Sequence, residues 1–193
     1  MKKYLITGCA GFIGSNFVHY MLKKYPEILL VNLDKLTYAG NLENLKDVEG
    51  DPRHVFVQGD ICDKELVESL FAKYDFDYVI NFAAESHVDR SIKNPEIFVQ
   101  SNVMGTVNLL QRAKEAWYDA DAKTWKEGKK YLQVSTEEVY GALAVSYTHL
   151  DVYKRQQEIR LFGQRAGVHP RGSDPFLCPQ RHPQGSLLSL IHI

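Results

Sequence analysis

The stretch that decides the fold is KKYLITGCAGFIGSN, residues 2–16. A short apolar run, KKYLIT (2–7), leads into Gly8-Cys9-Ala10-Gly11-Phe12-Ile13-Gly14, and a helical pattern follows over roughly 12–25. Glycines in such a turn permit a tight reversal, let the backbone approach an anionic group, and allow close helix-to-strand packing. The helix N-terminus that follows favours negative charge. Phe12, Ile13, Phe17, Tyr20 and Met21 recur at spacings of three and four, which predicts that they share one helix face.

Working outward, the same alternation continues. ILLVNLD (28–34), HVFVQGD (54–60), DYVINFAAE (77–85) and KYLQVST (130–136) read as further strands. The second is nearly all apolar, as expected when both faces of a sheet are covered by helices. KELVESLFAKY (64–74) reads as a helix, and 94–117 as a long helix with Pro95 in its first turn, where a missing N–H costs nothing. This order predicts an α/β fold, a doubly wound parallel sheet of the Rossmann-like kind. Ligands of such sheets bind beyond the carboxyl ends of the strands, and each strand here ends in polar residues or glycine.

Several of those ends carry candidate chemistry. Gly8, Gly11 and Gly14 form the turn that would receive a pyrophosphate. Asp34 closes the second strand twenty residues after Gly14, where a carboxylate suits a ribose diol and would repel a 2′-phosphate, which favours NAD over NADP. Adjacent Lys35 works the other way. Asp60 can accept from an adenine amino group, with Ile61 covering the ring. Ala83 and Ala84 are small enough to let the fourth strand end lie against a dinucleotide. Cys9, inside the glycine turn without a basic neighbour, reads as a small filler.

Composition excludes other classes. The 193 residues carry a formal net charge of -1, which gives no reason to expect nucleic acid as partner. No apolar run reaches the length of a membrane span, so no membrane association is expected. Three cysteines with no metal-ligand spacing point to no metal site and to a reducing, cytoplasmic setting.

The chain changes character near Ala142. Residues 1–143 contain 14 Lys and 3 Arg, whereas 144–193 contain 1 Lys and 5 Arg together with 4 of the 7 prolines. The segment RAGVHPRGSDPFLCPQRHPQGSLL has neither a helical nor an alternating apolar period. The expected organisation is a truncated NAD-binding domain over 1–141 and an irregular, disordered, non-native tail over 142–193, arising from a frameshift or a junction.

TGCAGFIGSN, LDKLTYAGNLENL, GDICD, FAAESHVDRSI and VSTEEVYG, in this order, resemble the dTDP-glucose 4,6-dehydratases of the extended short-chain dehydrogenase/reductase group. The likeness covers about residues 1–141. The glycine spacing is common to the whole group; DKLTYAGN and AAESHVDRS are more specific. The resemblance implies bound NAD, dTDP-glucose as substrate, dTDP-4-keto-6-deoxyglucose as product, a place in deoxysugar biosynthesis, and a homodimer for the intact enzyme, with helix 94–117 in the interface. By position it implies that Phe12, Ile13, Asp34, Lys35, Leu36, Thr37, Asp60, Ile61, Phe82, Ala83, Ala84, Glu85, Ser86 and Ser101 contact NAD. Ser86 would also touch the sugar, and Thr136 would bind the hexose.

Elimination of water needs an acid for the departing hydroxyl and a base for the C5 proton, and two adjacent carboxyls can divide those roles. Position assigns Glu137 as acid, where the family pattern has Asp, and Glu138 as base. His87 is expected to order its loop and Arg90 to pair with an acid or approach a partner subunit. Trp117 and Trp125 are expected to pack a helix end. The Tyr-x-x-x-Lys pair that the oxidation at C4 requires is missing after Tyr140, so the chain as written is expected to be inactive. Two rival functions stay open: a related nucleotide-sugar epimerase or decarboxylase, and a non-catalytic NAD-binding module.

Overall fold

The computed structural model describes residues 1–135 and 188–192. The chain forms two compact units, Met1–Gln133 and Val134–Ile193. In the first, β1 (Lys2–Thr7), α1 (Phe12–Lys24), β2 (Ile28–Asp34), β3 (His54–Gln58), α2 (Lys64–Tyr74) and β4 (Tyr78–Asn81) follow in turn. Short helices α3 (Val88–Lys93) and α4 (Pro95–Phe98) then lead through a widened π-helical segment, Val99–Gly105, into α5 (Thr106–Trp117). A small antiparallel hairpin, β5 (Tyr118–Asp119) and β6 (Thr124–Trp125), precedes β7 (Lys130–Ser135). In the second unit the described residues include strand β8, Leu188–His192. The expected boundary at 141 lies outside the described residues.

The sheet order is β3-β2-β1-β4-β7, with every neighbouring pair parallel. This is the doubly wound arrangement. The chain runs outward from β1 to β3, then returns to the other side of β1 to start β4, so strand order reverses between β1 and β4. Their carboxyl ends flank the crevice where such sheets bind ligands.

Local sequence explains the elements. Leu30, Val31 and Leu33 of β2 are fully buried, as a strand covered on both faces requires. Helix α2 starts where the Asp63 side chain accepts the Leu66 N–H at 3.0 Å. It stops at Asp75, which turns left-handed at φ 44°. One side of the sheet packs on α1 through Ile6, Leu30, Val18, Met21 and Leu22. Elsewhere, Trp117 at the end of α5 is fully buried beside Phe71 and donates its indole N–H to the Phe76 carbonyl at 2.9 Å. As expected, it packs a helix end. Trp125 packs on Tyr118 in the hairpin.

The face of α1 buried against the sheet is Gly14, Ser15, Val18, Met21 and Leu22; of the residues expected to share a face, Met21 is buried among these and Phe17 packs against the same cluster. Phe12 is 82% exposed and Tyr20 51%, because the small residues let the helix sit close to the sheet and leave the rings outside. The helix expected over 94–117 is broken into α4, the π segment and α5.

Candidate functional site

The crevice is built on contact between β1 and β4. Phe82 donates its N–H to the Thr7 carbonyl at 3.1 Å, and Ala83 donates to Thr7 Oγ1 at 3.3 Å. Gly8 then turns away at φ +66°, so close to this strand end that a Cβ on it would lie 2.6 Å from the Ala83 nitrogen. A Cβ on Gly14 would run into the Gly8 carbonyl and lie 2.9 Å from Cys9 Cα. Backbone excludes a side chain at both positions, and the Cys9 and Ala10 side chains between them are buried, which leaves the outer side of the loop bare. The first-turn amides of α1, including those of Phe12 and Ile13, have no intrahelical acceptor. A bare loop opening onto such amides fits the pyrophosphate of a dinucleotide. Cys9 is fully buried beneath it, and burial followed by the nearby Asp34 charge pushes its thiol well above the usual range. It is filler, not nucleophile.

Asp34 closes β2 at 9% exposure, with each carboxylate oxygen anchored. Oδ2 accepts the Ala10 N–H at 2.8 Å, and Oδ1 accepts the Leu36 N–H at 2.8 Å. A carboxylate has about four acceptor positions, so capacity remains for a ribose hydroxyl. Leu36 is held at φ 57°, a conformation unusual for a branched side chain and concentrated at functional sites. Thr37 accepts the Gly40 N–H in the turn that follows. The Ala10 carbonyl accepts from the Asn41 N–H and from Asn44 Nδ2, tying the 34–44 segment to the glycine loop.

Lys35 reaches Asp60 at 2.7 Å. Burial works to raise the Asp60 carboxyl, but hydrogen bonds from Lys35 and the Cys62 N–H outweigh it and hold the group below its ordinary value. The same hydrogen bond raises Lys35. Burial and the Asp60 charge together push the Cys62 thiol up to about 11, so it stays protonated at neutral pH. Ile61 is buried, and its side chain packs where a Cβ on Gly105 would otherwise fall.

Beyond β4, Ala84 and Ser86 are exposed, while Glu85 is 8% exposed. The Glu85 backbone is clamped by Asn102 of the π segment, which accepts its N–H and donates to its carbonyl, each at 2.8 Å. Arg90 Nε lies 3.9 Å from Glu85 Oε2, an oxygen with no hydrogen-bond partner, so Arg90 does pair with an acid. The Arg90 guanidinium also sits 4.0 Å over the Tyr38 ring. His87 immediately precedes α3 and meets Tyr38 edge-on, in keeping with an ordering role in its loop. Ser101 lies in the π segment beside Asn102.

Sequence reasoning missed a polar network inside the sheet. Thr7 Oγ1 donates to Asn81 Oδ1, and Asn81 Nδ2 donates to Gln133 Oε1 at 2.9 Å and Thr106 Oγ1 at 3.3 Å. Tyr131 donates its hydroxyl to the same Gln133 oxygen at 3.0 Å. Thr7 and Asn81 are fully buried, so the network fixes the strand ends that form the crevice. An Asn inside the apolar run DYVINF was the available signal. Thr136, Glu137 and Glu138 lie outside the described residues.

A family model described as GDP-mannose 4,6 dehydratase matches residues 5–151. The chain belongs to that family. Among curated relatives, the dTDP-glucose 4,6-dehydratase of Xanthomonas campestris is 50% identical over 143 residues, 74% of this chain and 40% of that one. The chain thus spans about two fifths of the length of the curated relatives it matches. The crystal structure of DesIV, a dTDP-glucose 4,6-dehydratase from Streptomyces venezuelae with NAD bound, is 44% identical. It superposes with a TM-score of 0.63, covering 74% of this chain and 42% of that one. A UDP-glucose 4-epimerase from Thermotoga maritima with UDP-glucose gives a TM-score of 0.60 at 28% identity, covering 74% of this chain and 41% of its own. The fold is shared across both activities. The sequence identity leans toward the dehydratases. No helix among the described residues is long and apolar enough to cross a membrane.

Proposed function

We propose that the chain is the NAD-binding portion of a dTDP-glucose 4,6-dehydratase. The observation that carries this is the bare glycine loop packed on the β4 end at the sheet's switch point, in a chain 50% identical to such an enzyme over 143 residues. Gly8, Gly11 and Gly14 with the α1 amides would hold the pyrophosphate, and Asp34 a ribose diol. Asp60 would accept from the adenine amino group. NAD is favoured over NADP because the Asp34 carboxylate would repel a 2′-phosphate, while the Lys35 charge is directed at Asp60.

When bound, NAD supplies reversible hydride acceptance, from glucose C4 at the start and back to C6 at the end. The residues of the chain then have distinct tasks. Thr136 would orient the hexose, Glu138 would remove the C5 proton, and Glu137 would protonate the departing C6 hydroxyl. The substitution of Glu for the family's Asp at 137 moves the acid by one methylene, and small displacements of a reacting group cost much rate. The missing Tyr-x-x-x-Lys pair leaves the C4 hydroxyl without its base, so the 193-residue chain does not turn over.

A homodimer fits the same reading, supported by Val99, Val103, Met104 and Val107, large apolar side chains each at least half exposed. A cytoplasmic setting is supported by the free thiols of Cys9 and Cys62.

The test joins residues 1–141 to the carboxy-terminal part of the Xanthomonas campestris relative and assays the chimera. It is expected to convert dTDP-glucose to the 4-keto-6-deoxy product, and faster with Glu137→Asp. A chimera that epimerises UDP-sugars and ignores dTDP-glucose would replace this reading with the epimerase one.

A further inference from the structure

Tyr38 follows β2 and Arg90 lies in α3, beyond β4. Both β2 and β4 pair with β1, on its opposite edges. A contact between the segments that follow them must therefore cross the carboxyl end of β1, where the glycine loop lies. The guanidinium 4.0 Å above the Tyr38 ring makes that crossing, with His87 edge-on to the same ring. Each side is anchored. Asn41 and Asn44 tie the Tyr38 segment to the Ala10 carbonyl, and Asn102 clamps the Glu85 backbone on the Arg90 side. Buried Glu85, whose Oε2 has no hydrogen-bond partner, faces Arg90 and supplies its counter-charge.

We propose that the Tyr38–Arg90 contact is a strap across the glycine loop that must open before a dinucleotide enters or leaves the crevice. This rests on the dinucleotide reading above. Arg90 and Tyr38 are positioning residues; neither is given a chemical step. A cation held over an aromatic face is a modest attraction, so the strap slows exchange without preventing it. Because the strap lies across the one crevice, it delays entry as well as exit. Breaking it speeds both rates and moves affinity little. Loss of a merely structural contact would instead weaken binding and lower thermal stability without speeding association.

The experiment is stopped-flow NADH fluorescence on the 193-residue chain, comparing wild type with Arg90→Ala, Tyr38→Leu and Tyr38→Phe. Arg90→Ala and Tyr38→Leu are expected to raise association and dissociation rates together by about three- to tenfold, from the strength of a partly exposed cation–π contact. Tyr38→Phe keeps the ring and should stay within about twofold of wild type. Unchanged rates in Arg90→Ala and Tyr38→Leu, or faster dissociation with unchanged association, overturn the strap. A folded wild type that binds no NADH overturns the cofactor reading itself, and the strap with it.

Discussion

The carboxylate of Asp34 accepts the backbone N–H of Ala10 at 2.8 Å, joining the end of β2 to the middle of the glycine loop. The residue expected to hold a ribose thus also holds the loop expected to receive the phosphates. Asp34→Ala leaves the amides of Ala10 and Leu36 without their acceptor, and should destabilise the fold by about 2–4 kcal/mol. Asp34→Asn retains one acceptor oxygen and should cost about half as much. Urea denaturation checks both. A loss below about 1 kcal/mol for the alanine variant would mean that the loop is held by other contacts.

Gly8 has a positive φ and backbone, not flexible side chain, where a Cβ would go. Gly8→Ala should therefore cost at least about 2 kcal/mol, since neither the dihedral nor the β4 end can relax cheaply. Gly50 provides the control, because a Cβ there meets nothing within 4 Å. Gly50→Ala should stay within about 0.5 kcal/mol of wild type in the same denaturation experiment.

His54 opens β3 opposite Leu30, and its buried Nε2 has no hydrogen-bond partner. Burial holds its imidazole below the ordinary value; nearby His19 adds to this, while Asp51 and Glu49 oppose it. The unfolded chain then binds a proton more readily than the folded one. Stability from this group is complete above its unfolded pKa of about 6.5 and is lost as pH falls through the lower folded value. Thermal melts from pH 7.5 to 5 should show His54→Gln with a flatter decline than wild type. Parallel declines would show that other groups set the slope.

Much of the fold was legible because its signals were local. The apolar runs of β1 and β2 set those strands to the residue. Other features depend on tertiary contacts. The spacing of Phe12 and Tyr20 says that they share a helix face but not which way it points; the close approach allowed by Gly14 and Ser15 leaves both exposed. Val99, Val103 and Val107 read as uninterrupted α-helix. The widened turn between them coincides with Asn102 gripping the Glu85 backbone and Gly105 resting on Ile61, partners far away in sequence. In the site, the glycines and Asp34 were visible from spacing. The second task of Asp34 and the network around Asn81 were not, because both depend on which strands become neighbours.

On the proposed reading, the purified 193-residue chain should release no 4-keto-6-deoxy sugar from dTDP-glucose, since no Tyr-x-x-x-Lys pair follows Tyr140 to take the C4 hydroxyl proton. Mass spectrometry of the nucleotide-sugar pool reads this directly. Product above a no-enzyme control would show that another group takes that role.

The most direct test of the central claim, that the crevice between β1 and β4 holds a dinucleotide, is calorimetric titration of NAD into this chain and its Gly8→Ala variant, with circular dichroism confirming that both are folded. The wild type is predicted to bind with a stoichiometry of about one, as a single switch-point crevice requires, and Gly8→Ala to lose that binding. A folded wild type that gives no binding heat, or a variant that binds as well as wild type, would contradict it.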